Sequence, residues 1–177
     1  MYMWALVPPP DVVEPVEAVR QEFAKTWNAV KGLRPPVHLT LYPPFGLPQD
    51  VLEEDLAAMR TWVAAQPRFP VVLKDFAFFE KRSPVIFIDV LPQPMLEVLH
   101  KGLGERTERH FSLRKQNGPF HPHFTIGYRD IEHRAFPAIK AEYSARTFDA
   151  AFEATAVVLF RHNGMKWEAV FALPLGV

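Results

Sequence analysis

Hydrophobic positions along the chain switch between the two-residue period of strands and the three-to-four-residue period of helices. Residues 2–7 form a short apolar run closed by three consecutive prolines, which predicts a buried strand. Beyond Pro15 the apolar positions recur every three or four residues as far as Val30, so we predict an amphipathic helix that ends near Gly32. Residues 37–42 return to an apolar, strand-like pattern.

A second helix is predicted from the spacing of the apolar residues between Leu52 and Val63. Asp50 and Glu53 lie three residues apart just ahead of it, which is the spacing of a capping box. Residues 69–79 are rich in β-branched and aromatic side chains, so one or two strands are predicted there.

The same order of elements begins again with residues 85–91, which predict an apolar strand. Pro94 then opens a helix whose apolar positions reach Leu103. Residues 104–118 predict a polar connection that leads to another strand.

The remaining residues predict a weaker helix and a hairpin. The helical segment runs from about residue 131 to residue 143, with an interruption or a kink at Pro137. Two strands near residues 156–161 and 166–173 are joined through Asn163-Gly164, a strong hairpin signal.

This repeated order predicts an α+β fold built as one domain, residues 1–177, from two similar halves. The halves are roughly residues 1–80 and 85–177. We expect a bilobal, pseudo-two-fold duplicated fold in which antiparallel sheets line a central cleft and helices pack outside.

A histidine and a threonine lie two residues apart in one strand of each half. The two stretches are His38-Leu39-Thr40-Leu41 and Pro122-His123-Phe124-Thr125-Ile126. Chance alone would give about 0.3 such triplets in a chain of this composition. Because side chains alternate along a strand, each histidine shares a face with its threonine, and the apolar neighbours share the opposite face. A pseudo-two-fold arrangement would bring the polar faces together across the cleft.

Composition limits the classes of protein to be considered. Twenty basic and 20 acidic residues give a formal net charge of zero, which argues against tracking along extended nucleic acid. The chain has no cysteine, so disulfides, thiol nucleophiles and thiolate metal ligands are excluded. We expect a cytoplasmic protein that does not bind membranes, since no apolar run reaches membrane-spanning length and the first residues lack a signal-peptide pattern.

Two histidines that face one another can perform acid-base chemistry on a phosphodiester. Imidazole titrates near pH 6.5, so around neutrality one ring can be neutral while the other is protonated. One ring can take a proton from the attacking oxygen and the other can protonate the leaving oxygen. The threonine hydroxyls can donate hydrogen bonds to the non-bridging phosphate oxygens. This chemistry requires no metal or other cofactor.

The chain resembles the two-histidine (2H) phosphoesterase superfamily, which includes bacterial 2′-5′ RNA ligases and RNA 2′,3′-cyclic phosphodiesterases. The two His-x-Thr stretches carry the resemblance, with support from strands near residues 157–161 and 167–173. The resemblance implies a bilobal α+β fold and metal-independent opening or formation of a phosphodiester at a ribose. It also implies a catalytic set, which is His38, Thr40, His123 and Thr125.

Substrate-binding residues are predicted from how this chain departs from the family. An aromatic-Gly segment that helps to hold a base usually follows the first motif closely, whereas here Phe45-Gly46 lies further along. We predict that Tyr42 or Phe45 stacks on a nucleobase, and strand parity favours Tyr42. A basic residue often follows the second motif, and the same parity makes Arg129 the candidate.

We therefore expect a cyclic phosphodiesterase or a 2′-5′ RNA ligase-like enzyme. Its substrate would be a nucleoside 2′,3′-cyclic phosphate or an RNA end, and we expect it to act as a monomer. Hydrolysis and ligation use the same groups in opposite directions, so the sequence assigns neither the direction nor the acid and base. For opening a cyclic phosphate we favour His123 as the base and His38 as the acid.

Two other functions fit the same residues. A protein of this fold could bind a nucleotide or RNA end without turnover, or a metal-dependent phosphohydrolase could use His121 and His123 as ligands. The metal site is disfavoured because no carboxylate cluster flanks these histidines, so we predict His121 in a turn or behind the site. The other histidines and several basic residues are predicted at the surface: His100, His110, His133, His162, Arg34, Arg106, Arg109, Arg114, Lys115 and Arg161.

Overall fold

The computed structural model describes residues 1–48, 50–80, 83–116 and 118–176. The strands are β1 (Tyr2–Leu6), β2 (Leu39–Phe45), β3 (Phe69–Phe79), β4 (Val85–Val90), β5 (His123–Tyr128), β6 (Asp149–Ala154), β7 (Ala156–His162) and β8 (Trp167–Pro174). The helices are α1 (Pro10–Trp27), α2 (Ala57–Ala64), α3 (Pro94–His110) and α4 (Phe136–Ser144). No helix in these ranges is both long and apolar enough to cross a membrane.

The strands form one open antiparallel sheet in the order β6-β3-β4-β5-β2-β1-β7-β8. The predicted α+β class with antiparallel strands is therefore confirmed, and the predicted sheets are two halves of a single sheet. The halves meet at one pair, Leu39 of β2 with Phe124 of β5. This junction lies at the centre of the sheet.

Each half of the sheet combines strands from distant parts of the chain. β1 and β2 lie with the β7–β8 hairpin, whereas β3, β4, β5 and β6 form the other half. The halves of the sheet therefore do not coincide with residues 1–80 and 85–177, because β3 lies in one half and the β7–β8 hairpin in the other. The two halves of the sheet nevertheless contain equivalent pairs of strands. The strand with the first motif, β2, pairs with β1, and the strand with the second motif, β5, pairs with β4.

The helices cover the face of the sheet to which Leu39 and Phe124 point. These two side chains are 0% and 1% exposed, and they share one hydrophobic core with buried residues of all four helices. α1 lies close to β5 because Gly127 has no side chain, and a Cβ there would lie 2.3 Å from the ring of Phe23. The motif histidines and threonines lie on the opposite face of the sheet.

A small second cluster lies on that opposite face, beside the first motif. Met3 and Ala5 of β1 pack there with Val158 and Phe160 of β7, and Trp167 packs against them. These residues alternate with core residues along β1 and β7, as expected for a sheet that is covered on both faces.

α3 is longer than the sequence predicts. It continues through Gly104, where the sequence predicts a polar connection, and ends at His110. Tertiary contacts explain the extension, because Thr107 is fully buried and its hydroxyl accepts a hydrogen bond from the indole of Trp4 at 2.9 Å. Gly104 packs against the ring of Tyr42, where a Cβ would approach to 3.2 Å.

Two helix starts also differ from their predictions. Asp50 caps no helix, because its carboxylate accepts the Tyr2 hydroxyl at 2.8 Å and pairs with Arg161 at 3.2 Å. α2 begins only at Ala57, after a short 3-10 turn. α4 begins at Phe136, so Pro137 lies in its first turn, where its missing N–H leaves no hydrogen bond unmade.

Candidate active site

The Leu39–Phe124 pair sets the two motifs beside each other. Residues that flank an opposed pair in an antiparallel ladder lie opposite one another, so His38 lies across from Thr125 and Thr40 across from His123. The four side chains point away from the helices because their apolar neighbours point into the core. The predicted catalytic set therefore meets on one face at the centre of the sheet.

Both histidines are held by the same type of hydrogen bond. Nδ1 of His38 lies 2.7 Å from the carbonyl oxygen of Pro36, and Nδ1 of His123 lies 2.7 Å from that of His121. A carbonyl can only accept, so each Nδ1 carries the hydrogen and each Nε2 is the nitrogen that can exchange a proton. The backbone thus fixes the same tautomer in both rings.

β2 contains one extra residue immediately after its motif. Ala5 pairs with Thr40, but the preceding residue, Trp4, pairs with Tyr42, so Leu41 is a β-bulge. Two successive side chains, Leu41 and Tyr42, consequently point into the core. The bulge interrupts the alternation of faces along β2. The prediction that Tyr42 shares the face of His38 and Thr40 assumed that this alternation continues.

Neither aromatic residue predicted to stack on a nucleobase faces the site. Tyr42 is 2% exposed and donates its hydroxyl hydrogen bond to Glu108 at 3.1 Å. Phe45 is 5% exposed and packs against the rings of Tyr2, Tyr42 and Phe111. Both residues belong to the core, so the structure contradicts this prediction.

β5 has an equivalent bulge after the second motif. Phe87 pairs with Thr125 and Ile86 pairs with Gly127, which leaves Ile126 as the extra residue. Gly127 therefore points to the helices, and Tyr128 returns to the face of the motifs.

A cavity of about 450 Å³ opens over the first motif, a volume typical of small-molecule sites. Its walls include His38, Thr40, Thr125, Tyr128, Arg129 and Trp167. Three of the four motif residues therefore share one cavity.

Arg129, the predicted basic residue, lies in the wall of this cavity. β5 ends at Tyr128, and Arg129 has φ 67°, a left-handed conformation that turns the chain. Its guanidinium carbon lies 5.1 Å from the centre of the Tyr128 ring. Arg129 reaches the site because the chain turns here. The prediction instead assumed that Arg129 continues the alternation of faces along the strand.

His162 and Trp167 complete the wall on the side of the β7–β8 hairpin. They are cross-strand partners, and their ring centres lie 5.1 Å apart. His162, predicted at the surface, is half-buried and lines the cavity. The Asn163-Gly164 turn indicates their pairing, but the sequence does not show which face of the hairpin the cavity occupies.

The ring of His123 packs in an aromatic cluster beside the cavity. Phe79 and Phe87 lie 5.3 Å and 4.9 Å from it, and both also contact the ring of His121. His121 Nε2 in turn lies 2.9 Å from Oδ1 of Asp89. Asp89, which sequence reasoning missed, is therefore part of the surroundings of the second motif.

Burial lowers the pKa of both motif histidines. The pKa of His38 falls to about 4, chiefly because the ring is desolvated, with Arg20 and His123 acting in the same direction. Desolvation also lowers the pKa of His123, whereas Asp89 opposes this effect. Both rings are therefore neutral at pH 7 in the free protein, which differs from the expected neutral and protonated pair. An anionic phosphate beside them would raise both pKa values.

The remaining histidines have different surroundings. His100, predicted at the surface, is half-buried: its Nδ1 donates to the carbonyl of the bulge residue Leu41 at 2.7 Å, and its ring stacks on Phe120 at 4.2 Å. His110 and His133 are exposed as predicted. Within the described ranges, no cluster of three or more His, Asp or Glu side chains could hold a metal ion.

Most of the basic residues predicted at the surface are exposed, namely Arg34, Arg109, Arg114 and Lys115. Arg106 instead packs over the ring of Trp62 at 4.2 Å, and Arg161 is paired with Asp50. Neither of these two arginines is a free surface cation.

The open antiparallel sheet and its helices have the fold of E. coli LigT in apo form, whose crystal structure matches with a TM-score of 0.65 and 21% identity over 99% of this chain and 97% of LigT. The family model of the 2′-5′ RNA ligase superfamily matches residues 8–166, and the chain belongs to this superfamily. The resemblance stated from the sequence is thereby confirmed.

Individual relatives agree with this assignment. A Geobacillus kaustophilus (strain HTA426) protein, classed by name only as a phosphoesterase, is 26% identical over 140 residues, which are 79% of this chain and 76% of that protein. The crystal structure of E. coli LigT complexed with 3′-AMP matches with a TM-score of 0.68 and 20% identity, covering 98% of this chain and 97% of LigT. TT0787 of Thermus thermophilus matches with a TM-score of 0.69 and 16% identity over 98% of this chain and 96% of its own. These structures show a shared fold.

Proposed function

We propose that this protein is a metal-independent phosphodiesterase that opens 2′,3′-cyclic phosphates of nucleotides or RNA ends. The observation that carries the proposal is the Leu39–Phe124 pair, which brings two histidines and two threonines onto one face. Membership of the 2′-5′ RNA ligase superfamily supports phosphodiester chemistry. The LigT complex with 3′-AMP supports a ligand that carries phosphate on a ribose.

The ring-opening step uses one histidine on each side of the phosphorus. One neutral Nε2 takes a proton from water as the water oxygen bonds to phosphorus. The bond from phosphorus to one ribose oxygen breaks, and the other imidazole, protonated on Nε2, gives its proton to that oxygen. The product is a ribose with one phosphate monoester and one free hydroxyl. The same step with the 5′-hydroxyl of a second RNA end in place of water would join RNA ends through a 2′-5′ bond, since the bond from phosphorus to the ribose 3′-oxygen breaks and that oxygen takes the proton of the acid.

Other residues would hold the substrate. The hydroxyls of Thr40 and Thr125 would donate to the two non-bridging oxygens, on which negative charge is held through the transition state. Arg129 would attract the phosphate or its neighbour in an RNA end, because it is an exposed cation in the cavity wall. Trp167 replaces Tyr42 and Phe45 as the ring available to a nucleobase.

The test is turnover of nucleoside 2′,3′-cyclic phosphates, and of a short RNA that ends in one, in the presence of EDTA. We expect wild type to open them, and His38→Ala and His123→Ala each to lose about 10²- to 10⁴-fold in kcat. His110→Ala is the matched control, because that histidine is exposed and bonds to Asp55. All variants are checked for folding by circular dichroism.

Two other results would redirect the assignment. Nucleotide binding without turnover in folded wild type would identify a binding module of the same fold. Activity that EDTA abolishes and a divalent cation restores would identify a metal-dependent enzyme.

A further inference from the structure

An exposed aromatic ring lies beside the second motif histidine. Phe79, at the end of β3, is 36% exposed, and its ring centre lies 5.3 Å from that of His123. The ring packs on Phe87 at 4.3 Å with a tilt of 34°. Phe79 is therefore supported by the sheet and open to solvent close to the reacting groups.

The other half of the sheet has an equivalent aromatic residue, Phe160. In each half the strand of the motif pairs with a second strand, and that strand pairs with a third. On the third strand, the residue in line with the motif threonine is followed two positions later by Phe79 in β3 and by Phe160 in β7. The ring of Phe160 lies 6.1 Å from that of His38. The two halves therefore place one aromatic ring beside each motif histidine.

The two aromatic residues differ in what covers them. Phe160 is 4% exposed, and Trp167 of β8 packs against its cluster. The strand outside β3 is β6, which pairs with Phe69–Lys74 and not with the end of β3. Within the described ranges no residue equivalent to Trp167 therefore covers Phe79. The second half of the sheet lacks the ring that Trp167 supplies to the first.

Hydrogen-bonding groups border the exposed ring of Phe79. The ring centre of His121 lies 5.4 Å from it, and Nε2 of His121 bonds to Oδ1 of Asp89. The side chains of His121 and Asp89 are 47% and 40% exposed. A nucleobase fits such a surface, because it combines a flat aromatic face with an edge of hydrogen-bond donors and acceptors.

Phe79 and Trp167 lie on opposite sides of the histidine pair. Trp167 is on β8, beyond the strands that flank the first motif, and Phe79 is on β3, beyond the strand that flanks the second. The attacking and leaving oxygens of a reacting phosphate also lie on opposite sides of phosphorus. A substrate with a nucleoside on each of these oxygens would therefore have one base near each ring.

We propose that Phe79 is a stacking site for the base of a second nucleoside, the one that is joined to phosphorus through its 5′-oxygen. The first nucleoside carries the phosphate on its 2′- or 3′-oxygen, and its base lies at Trp167. This inference rests on the proposed function and adds a site for a nucleoside that a mononucleotide cyclic phosphate does not contain.

Cleavage of a 2′-5′-linked dinucleotide tests the site, because this substrate has both nucleosides. The 3′-hydroxyl gives up its proton and attacks phosphorus, and the bond from phosphorus to the 5′-oxygen breaks as that oxygen takes a proton. The products are a 2′,3′-cyclic phosphate and a nucleoside with a free 5′-hydroxyl. The comparison substrate has the same linkage, but its second residue is an abasic deoxyribose.

We expect wild type to cleave the dinucleotide with about tenfold higher kcat/KM than the abasic substrate, because only the former has a base to stack on Phe79. Phe79→Ala should bring this ratio close to one. Phe79→Tyr, which keeps the ring, should retain the preference. If Phe79→Ala does not fold, Phe79→Leu, which keeps an apolar side chain on Phe87, takes its place.

Phe111→Ala is the matched control, because it removes another partly exposed ring, at the end of α3 on the face covered by helices. It should leave the ratio unchanged. The ratio also separates stacking from packing, since a loss of support for His123 in Phe79→Ala would slow both substrates alike. A wild-type preference that survives in folded Phe79→Ala overturns the proposal.

Failure of this proposal differs from failure of the proposed function. A wild type that opens cyclic phosphates but cleaves both dinucleotides equally well overturns only the stacking site. If wild type turns over none of these substrates, the proposed function fails, and equilibrium binding of the two dinucleotides decides. Equal affinities overturn the stacking site, whereas tighter binding of the base-bearing dinucleotide that Phe79→Ala abolishes supports it.

Discussion

Leu41 and Ile126 occupy equivalent places in two strands, since each is the extra residue that follows a motif threonine. Each bulge ends the alternation that keeps histidine and threonine on the open face, and it turns the second residue after the threonine towards the core. After the first motif that residue is Tyr42, and after the second it is Gly127. The paired bulges therefore limit each motif to a single His-x-Thr unit.

Replacing Tyr42 should affect stability and not substrate binding. Tyr42→Leu removes a buried ring, so we expect the free energy of unfolding to fall by about 3 kcal/mol. KM should stay within about twofold of wild type, because the ring does not reach the cavity. Trp167→Ala, in contrast, should raise KM about tenfold through lost base stacking. Urea unfolding measures the change in stability, and initial rates measure KM. A large rise in KM for Tyr42→Leu would show that the ring of Tyr42 contacts the substrate.

Replacing the motif threonines should act on the chemical step. Thr40→Val and Thr125→Val keep the shape of the side chain and remove the hydroxyl, so kcat should fall by about 10²- to 10³-fold with little change in KM. Thr40→Ser and Thr125→Ser should retain most activity. Thr61→Val, which removes an exposed hydroxyl bonded to its own helix, is the control. Unchanged kcat in both valine variants would remove the threonines from the mechanism.

Activity should be highest on the acid side of neutrality. The free protein must keep one proton on the pair, and the pKa of His38 is about 4 while that of His123 lies below its usual 6.5. We expect kcat/KM to fall about tenfold for each pH unit above about 6.5, as the last proton is lost. Initial rates between about pH 4 and about pH 8 measure this profile. A maximum of kcat/KM above pH 7 would contradict the lowered pKa values.

Acid should destabilise the protein partly through His38. Its pKa is lowered from 6.5 to about 4 on folding, so the unfolded chain binds this proton more readily. The stabilisation is therefore fully present above pH 6.5 and is lost as the pH falls to about 4, where the loss reaches about 3 kcal/mol.

The non-titrating variant His38→Gln isolates this contribution. We expect its urea midpoint to fall less than that of wild type between about pH 7 and about pH 4. Parallel declines in the two proteins would show that His38 is solvated in the folded state.

The local sequence predicts the features that depend only on neighbouring residues within one strand. The faces of His38-Leu39-Thr40 and His123-Phe124-Thr125 follow from alternation alone. The bulges at Leu41 and Ile126 could not be predicted, because a bulge is a mismatch between a strand and its partner. The error for Tyr42 follows directly from this.

Other features depend on contacts between distant residues. β6 has a weak strand sequence, Asp149–Ala154, and is paired along its whole length with β3. α3 passes through Gly104 because Thr107 and Tyr42 lie beside it. The charges of Arg20 and Asp89 near the histidines likewise follow from how a helix and a strand pack, which no local spacing reveals.

β1 lies between β2 and β7, so the sheet around the first motif is complete only after the ribosome has made β7. Both His-x-Thr motifs are synthesised well before Ala156–His162, yet Met3 and Ala5 beside the first motif are covered by Val158 and Phe160 of that strand. A nascent chain holds all four motif side chains while one edge of β1 is still unpaired. We therefore expect the proposed activity only after the β7–β8 hairpin has paired with β1, so nascent chains that end before Ala156 should be inert.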